Sequence, residues 1–348
     1  MSDLAPISAN MGCVCILPQL SGLGGPVSFQ SRLAAGLQAR RIGVVQQPTH
    51  PACRAVLVIG GTRQIVSLWQ ARQRGVRIVQ RLNGMNWIHR KRRTGLRHYL
   101  RSEINNRLLA FIRGYLADGI VYQSNFARNW WQTVHGSSPA TARVIYNGVD
   151  LQVFNPSGEG EPPSDHVRIL LVEGHLRGGY EQGLDSAINL TRFLNQSGNL
   201  AVKLGVVGDV PVSMQQRFSA VAGAQVEWAG IVPQASIPRL DRSAHLLFSA
   251  DLNAACPNSV VEAMACGLPV VGFATGSLPE LVEGDSGRVV PYGSNYWNLE
   301  TPDIAGLAGA VKEVLAGGPV FQQAARRRAE TAFNIDQMVE QYIQVLLG

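Results

Sequence analysis

The sequence lacks long apolar runs and carries little charge. Charged residues make up 16% of the 348 residues and hydrophobic residues 46%, a composition typical of a folded chain with a large core and not of a disordered one. No apolar run reaches about 18 residues, so we predict no transmembrane helix. The first twelve residues include one aspartate and no basic stretch, which does not fit a signal peptide. We therefore expect a cytoplasmic protein.

Cysteine is scarce, and its pattern excludes several classes of site. The five cysteines are an odd number and lie mostly in apolar patterns, which favours free thiols in a reducing compartment over disulfides; they are Cys13, Cys15, Cys53, Cys256 and Cys266. Cys13 and Cys15 have no second cluster of Cys or His to complete a zinc site. The sequence also lacks GxSxG, CxxC, HExxH and DxD patterns and paired carboxylates. We expect no metal and no bound cofactor, and neither a hydrolase nor a glycosidase.

Positive charge is concentrated in one half of the chain. Residues 1–150 contain 19 basic and 4 acidic residues, a net charge of +15, whereas the remainder contains 12 basic and 20 acidic residues, a net charge of −8. Two regions of opposite sign suggest two domains with different partners.

Short apolar runs alternate with helical patterns along both halves. They predict strands at 13–19, 43–48, 55–61, 76–84, 118–124, 142–149, 167–174, 201–208, 226–230, 245–251, 269–273 and 287–290. This alternation is typical of βαβ units and a parallel sheet. The Pro-, Gly- and Ser-rich stretch 155–165 predicts a linker between the alternating strands and helices of the two halves. We predict an α/β protein with two doubly wound, Rossmann-like domains facing a ligand cleft.

The predicted domains have definite bounds. Residues 1–155 form the first domain, residues 156–330 form the second, and a tail helix at 331–348 packs back near the first. A long helical region is expected from about Thr301 to Leu347.

A glycine-rich turn follows the first predicted strand and opens a helix. Gly24 and Gly25 allow the backbone to approach a ligand, and the helix N-terminus behind them favours phosphate. Such a turn by itself is equally typical of an ordinary strand–helix connection.

A second helix start lies in the stretch 257-PNSVVEAMACGLPVVGFATGSLPELVEG-284. Asn258 and Ser259 are good N-cap residues, and Ser259 with Glu262 fits a capping box. Ser277 with Glu280 fits the same pattern, and there we favour a purely structural cap. For Glu262 a ligand role is the stronger interpretation.

The same stretch resembles the nucleotide-sugar signature of glycosyltransferase family 4. Other pieces match in order, namely 22-GLGG-25, 119-GIVYQSNFARNWW-131, 143-RVIYNGVDLQVFNP-156 and 333-FNIDQMVEQYIQVLL-347. The resemblance implies the two-domain GT-B fold and transfer of a sugar, with retention, from a nucleotide diphosphate sugar. It further implies that the second domain holds a UDP- or GDP-sugar donor and the first a glycan, lipid-linked or small-molecule acceptor.

The resemblance assigns roles to particular residues. Glu262 matches the second glutamate of the family's E-x7-E motif, which binds the ribose hydroxyls. Ala254 stands where the motif has its first glutamate, a ligand of the donor sugar. In place of the family's Arg–Lys diphosphate clamp the chain has His175, with Arg177 close enough to serve.

The matching position for the family's active-site histidine offers Asn83, with Arg81 beside it. These departures have two interpretations: an active enzyme rebuilt for another donor, which we favour, or a catalytically silent protein that binds sugar nucleotides. Asn83, Arg81 and Arg177 are the catalytic candidates, and Gly24, Gly25, His175, Arg177, Asn258, Ser259 and Glu262 are the predicted donor-binding residues.

The most basic stretch holds six Lys or Arg residues between Arg90 and Arg101, interleaved with leucine and tyrosine. It suits the anionic inner face of a membrane, an anionic acceptor, or simply a solvated arginine-rich surface. Nucleic acid is disfavoured as a partner because no recognition motif or set of stacking aromatic residues accompanies the charge.

Overall fold

The computed structural model describes residues 12–348 apart from residues 23, 94, 177–180, 198–199 and 222–224. The described part of the chain forms two parallel six-stranded sheets with flanking helices. This confirms the predicted pair of doubly wound α/β domains, and a strand is present at each of the twelve predicted places.

The first sheet is built by the N-terminal half of the chain. Its strands are β1 (Cys13–Leu17), β2 (Val44–Val45), β3 (Cys53–Ile59), β4 (Arg77–Leu82), β5 (Gly119–Tyr122) and β6 (Thr141–Val144), in the spatial order β2-β1-β3-β4-β5-β6. Its helices are α1 (Gly25–Ala39), α2 (Ile65–Gln73), α3 (Leu96–Phe111) and α4 (Asn125–His135). The inner strands are nearly all apolar because helices cover both faces of the sheet.

The second sheet is built by the C-terminal half. Its strands are β7 (Val167–His175), β8 (Val202–Asp209), β9 (Val226–Gly230), β10 (Leu246–Ser249), β11 (Val270–Phe273) and β12 (Gly287–Val290), in the order β12-β11-β10-β7-β8-β9. The helices between them are α5 (Glu181–Gln196), α6 (Val212–Ser219), α7 (Ile237–Arg242), α8 (Asn258–Ala265) and α9 (Leu278–Leu281).

Both sheets have a point where the strand order reverses. In the first sheet it lies between β1 and β3, and in the second between β7 and β10. At such a point the loops leave adjacent strands in opposite directions and open a crevice at the carboxyl ends, where ligands bind in this class of fold.

The C-terminal region is three helices rather than the long helical stretch expected from the sequence. They are α10 (Ile304–Gly317), α11 (Pro319–Ala332) and α12 (Ile335–Leu347). Gly318 has a φ of +44°, and Pro319 opens the next helix, so the chain bends by 97° there. Among the described helices, none is long and apolar enough by itself to cross a membrane, and only the bent pair α10–α11 meets those criteria jointly.

The last helix returns to the first domain. Val339, Tyr342 and Leu346 of α12 are buried in one apolar cluster with α1 and the first sheet. The crossing is fixed by a parallel bridge between Val149 and Asn334. The chain therefore passes between the domains twice, and these two segments are where the domains can rotate relative to each other.

Candidate active site

A cavity of about 510 Å³ lies between the two domains at the carboxyl ends of the strands. It brings together six of the predicted site residues, which are Gly24, Gly25, Asn83, Asn258, Ser259 and Glu262. Ala254, which stands at the place of the missing glutamate, also lines it. The lining comes from both domains, so a ligand in the cavity would contact both of them.

The start of α1 forms the wall from the first domain. Gly24 has a φ of +123°, a left-handed conformation that favours glycine, and Pro26 occupies the first turn of the helix. The Gly24 carbonyl accepts hydrogen bonds from Val27 and Ser28, so the turn is well formed. A Cβ built on Gly25 would lie 3.8 Å from the side-chain amide nitrogen of Asn258, which shows how closely the two domains approach here.

The start of α8 forms the opposing wall. The helix begins after Pro257 and no side chain caps it. The capping box between Ser259 and Glu262, the less favoured of the two interpretations of Glu262, is not formed, because the Glu262 side chain pairs with Arg32. The first backbone N–H groups of α8 remain available to a ligand, and the positive end of the helix dipole favours an anion there.

The Glu262 carboxylate accepts a hydrogen bond from Arg32 of α1 and forms an ion pair with it. Arg32 also donates to the Gly148 carbonyl at 3.0 Å, so its guanidinium is anchored on the first domain. Burial raises the pKa of Glu262, and the attraction of Arg32 opposes that rise. The sequence offered no sign of Arg32, because nothing local distinguishes it from Arg40 and Arg41, which follow in the same helical pattern.

Arg81 is not part of the cavity lining. It is 2% exposed, its guanidinium carbon lies 3.7 Å from the centroid of the Phe29 ring, and it donates to Asn147 at 2.7 Å. Asn147 in turn donates to Asn258 at 2.9 Å. Arg81 is therefore linked to Asn258 of the cleft through Asn147, and burial lowers the pKa of Arg81.

The residues that stand in place of the diphosphate clamp are not among the described residues of the cavity lining. His175 is at the end of β7 and its Nδ1 is 3.2 Å from an Asp209 oxygen, but it does not line the cavity. Arg177, together with the glycines that follow it, lies outside the described residues. Asn83 does line the cavity, and its carbonyl accepts a hydrogen bond from Trp131 at 2.7 Å.

Glu280 does not form the predicted cap on its own helix. Its carboxylate instead accepts hydrogen bonds from the backbone N–H groups of Asn125 and Phe126 and from the Tyr146 hydroxyl, at 2.8–3.0 Å. It thus satisfies the N-terminus of α4 from the other domain. Tyr146 has its pKa raised to about 12, first by burial and then by Glu280.

Two carboxyl groups of the cavity had no counterpart in the sequence predictions. Glu173, at the end of β7, and Asp251, just beyond β10, both line the cavity. Each stands at the end of an apolar run that predicts only a strand. The sequence does not show that these two strands are neighbours, so it does not show that the two acids share a cavity. Burial and the neighbouring Asp251 raise the pKa of Glu173 to about 8.

Two family models match the chain. The model described as "Glycosyltransferase Family 4" matches residues 17–153, and the one described as "Glycosyl transferases group 1" matches residues 168–317. Together they span most of both domains.

Curated relatives are also glycosyltransferases. The chain is 30% identical over 181 residues to the amylovoran biosynthesis glycosyltransferase AmsK of Erwinia amylovora, a match that covers 48% of this chain and 42% of that protein. It is 27% identical over 228 residues to a GDP-mannose-dependent phosphatidylinositol dimannoside mannosyltransferase of Mycobacterium tuberculosis, with 61% of this chain and 53% of that protein covered. The chain thus spans about half the length of the curated relatives it matches.

Solved structures share the fold over nearly the whole chain. The sucrose-phosphate synthase of Thermosynechococcus elongatus superposes with a TM-score of 0.72 at 15% identity, covering 96% of this chain and 98% of that one. The HepE protein of Anabaena, solved with UDP-glucose, superposes with a TM-score of 0.68 at 17% identity, covering 96% and 99%. These similarities confirm the predicted GT-B fold.

Proposed function

Because the chain belongs to the group 1, family 4 glycosyltransferases, we propose that it transfers a sugar from a UDP- or GDP-sugar to a glycan, lipid-linked or small-molecule acceptor, with retention at the anomeric carbon. The observation that carries the proposal is the convergence of two helix N-termini and one buried carboxylate on a single cavity between the domains.

The ribose would bind at Glu262. A buried carboxylate accepts strong, directional hydrogen bonds from a pair of vicinal hydroxyls, and Arg32 holds this one in place. Both pyrimidine and purine nucleotides remain in the proposal, since one relative is named for GDP-mannose and one structural neighbour was solved with UDP-glucose.

The diphosphate would bind between the starts of α1 and α8. The backbone N–H groups around Gly24 and Gly25 and those at Asn258 and Ser259 face it from two sides. These dipoles stabilise the charge that develops as the diphosphate leaves. The leaving phosphate itself would accept the proton of the acceptor hydroxyl on the same face, so the proposal needs neither a side-chain nucleophile nor a metal. Closure of the domains would bring the Gly24 turn onto the donor.

Among these acceptors, the surface of α3 favours a lipid-linked one. Leu96, Leu100, Ile104 and Phe111 form an apolar stripe along the outside of α3, and all four are exposed. Arg97, Arg101 and Arg107, also on α3, are exposed and make no ion pair with any described residue. An amphipathic helix of this kind suits an anionic lipid surface.

Part of the predicted basic surface has another use. Lys91 donates to Asn298 and Arg92 to Glu181, so both contact the second domain. Arg90 pairs with Glu103 of its own domain. The membrane proposal therefore rests on α3 and not on residues 90–92.

The first experiment is a thermal-shift panel of the purified protein against UDP-, GDP- and ADP-sugars. A ligand that binds only the folded state raises its melting temperature, so the donor should stand out as a selective shift. A shift without transfer or hydrolysis of that sugar would instead support the silent sugar-nucleotide-binding alternative. No shift with any member of the panel would contradict the proposal.

A further inference from the structure

The second sheet carries two carboxyl groups at the point where its strand order reverses. β7 and β10 are neighbours, with Leu247 paired to Leu170. Glu173 lies three residues beyond Leu170, and Asp251 lies four beyond Leu247. The two residues therefore leave adjacent strands at almost the same level, on either side of the crevice where this class of fold binds ligands.

The backbone around Glu173 is held tightly. Gly208 has a φ of +140°, and a Cβ there would lie only 1.9 Å from the Glu173 carbonyl oxygen. A Cβ on Gly174 would lie 3.8 Å from the Cα of Gly24. The backbone that follows Glu173 therefore lies beside the glycine turn of the first domain, and Glu173 lines the same cavity as Gly24.

Neither carboxyl group has a cationic partner among the described residues. Asp251 accepts one hydrogen bond, at 3.1 Å, from the backbone N–H of Asn253, and no described arginine or lysine forms an ion pair with either acid. Burial raises the pKa of both acids, and the negative charge of Asp251 raises the pKa of Glu173 further. Carboxyl groups that line a cavity without a cationic partner can accept hydrogen bonds from the donors of a ligand.

The two acids could take over the role of the family's sugar-binding glutamate, whose place Ala254 occupies. Ala254 lines the same cavity three residues after Asp251, and its methyl group cannot accept a hydrogen bond. A cavity with glycine on one side and an alanine at the sugar position would hold the nucleotide while leaving the sugar hydroxyls without acceptors.

We propose that Glu173 and Asp251 bind the hydroxyl groups of the donor sugar and thereby determine which sugar the enzyme accepts. Two carboxyl groups on adjacent strands suit a pyranose with neighbouring hydroxyls, because each carboxyl group has an oxygen that can accept a hydrogen bond from a hydroxyl. The inference rests on the proposed function, since it assigns the sugar part of the same cavity.

The test compares a nucleotide sugar with its free nucleotide diphosphate. Affinities for UDP-glucose and UDP, and for GDP-mannose and GDP, are measured by calorimetry on the wild-type protein, E173Q, D251N and E313Q. Glu313 is an exposed acid of α10 outside the cavity, so E313Q controls for loss of one negative charge. The amide substitutions keep the size of each side chain and remove an acid that has no cationic partner among the described residues, so these variants should fold.

We expect E173Q and D251N to weaken binding of the nucleotide sugar about tenfold while the free nucleotide diphosphate changes less than about twofold. An unchanged ratio in both variants would overturn the inference but leave the proposed function intact. Absence of binding to all four ligands by the wild-type protein would count against both.

Discussion

The guanidinium of Arg32 and the carboxylate of Glu262 form an ion pair that joins the two domains beside the cavity. The side chains are mostly buried, and burial raises the pKa of the acid while the arginine opposes the rise. Removing one partner would leave the other as an unpaired buried charge, a change that is usually strongly destabilising. The pair thus links the proposed ribose site to the relative position of the domains.

Substitution of Glu262 should weaken nucleotide binding. Glu262→Gln keeps one acceptor oxygen but loses the charge, so we expect about a tenfold loss of affinity for the nucleotide sugar and for its free nucleotide alike. Glu262→Ala should cost more. Glu330→Gln, at an exposed ion pair of α11, is the matched control and should bind normally. Calorimetry with the nucleotide from the thermal-shift panel measures this, and unchanged affinity in Glu262→Ala would contradict the ribose assignment.

The strand pattern could be predicted because each strand is an apolar run bounded by glycine or polar residues. The site could be predicted only where it lies in a local motif, as at Gly24 and Asn258. Arg32, Glu173 and Asp251 were missed because their positions in the cavity depend on which strands and helices become neighbours. The predicted cap at Glu280 failed for the same reason, since its hydrogen-bond donors come from the other domain.

Glu280 should contribute to the contact between the domains. Its carboxylate accepts from two backbone N–H groups at the start of α4, and such charge-assisted bonds contribute about 1.5–3 kcal/mol each. We expect Glu280→Gln to lower the free energy of unfolding by about 1–2 kcal/mol, because one amide oxygen can still accept. Urea denaturation measures this change.

Glu283→Gln is the matched control for that experiment. Glu283 is exposed and pairs with Arg328 at the surface, a type of pair worth less than about 1 kcal/mol. Equal stability of the two variants would show that the Glu280 cap contributes nothing measurable.

Arg81 should matter more for activity than for stability. Arg81→Met removes a buried cation that has no carboxylate partner among the described residues. Removing the desolvation cost of that charge offsets the loss of the hydrogen bond to Asn147. We expect stability to change by less than about 1 kcal/mol. Without Arg81, Asn147 loses the hydrogen bond that orients it toward Asn258 in the cavity. We therefore expect kcat/KM to fall about tenfold.

Arg143→Met removes an exposed arginine of the same domain and should leave both quantities unchanged. The pair of variants is compared by urea denaturation and by initial rates. A loss of stability in Arg81→Met with normal activity per folded molecule would mean that Arg81 only supports the core.

The apolar stripe of α3 should bind anionic lipid. Ile104 is 63% exposed at its centre, and burial of an isoleucine contributes about 1.5–3 kcal/mol. We expect Ile104→Glu to lower co-sedimentation with phosphatidylglycerol vesicles about tenfold without changing donor binding. Val320→Glu places the same charge on an exposed apolar residue of α11 and should bind vesicles normally. Equal losses in both variants would argue against a specific surface.

The final prediction concerns the effect of pH on stability through Glu173. Its pKa is raised from an ordinary 4.5 to about 8, by burial and by Asp251, which is the ionisable group that acts on it among the described residues. Between these two values the unfolded chain has released the proton and the folded chain still holds it. Rising pH therefore stabilises the unfolded state relative to the folded state, and the wild-type protein loses stability from about pH 4.5 to about pH 8.

Glu173→Gln cannot ionise, so it should escape this loss. Melting temperatures of the variant and the wild-type protein should differ least at pH 5 and most at pH 8, with the variant more stable by roughly 1–3 kcal/mol once partial solvent access is allowed for. Asp251→Asn should shift the pH range of the effect downward, because it removes the repulsion, and Glu313→Gln should track the wild type throughout. A difference between Glu173→Gln and the wild type that stays constant from pH 5 to pH 8 would show that Glu173 titrates normally, and the acid would then face water instead of a dry sugar site.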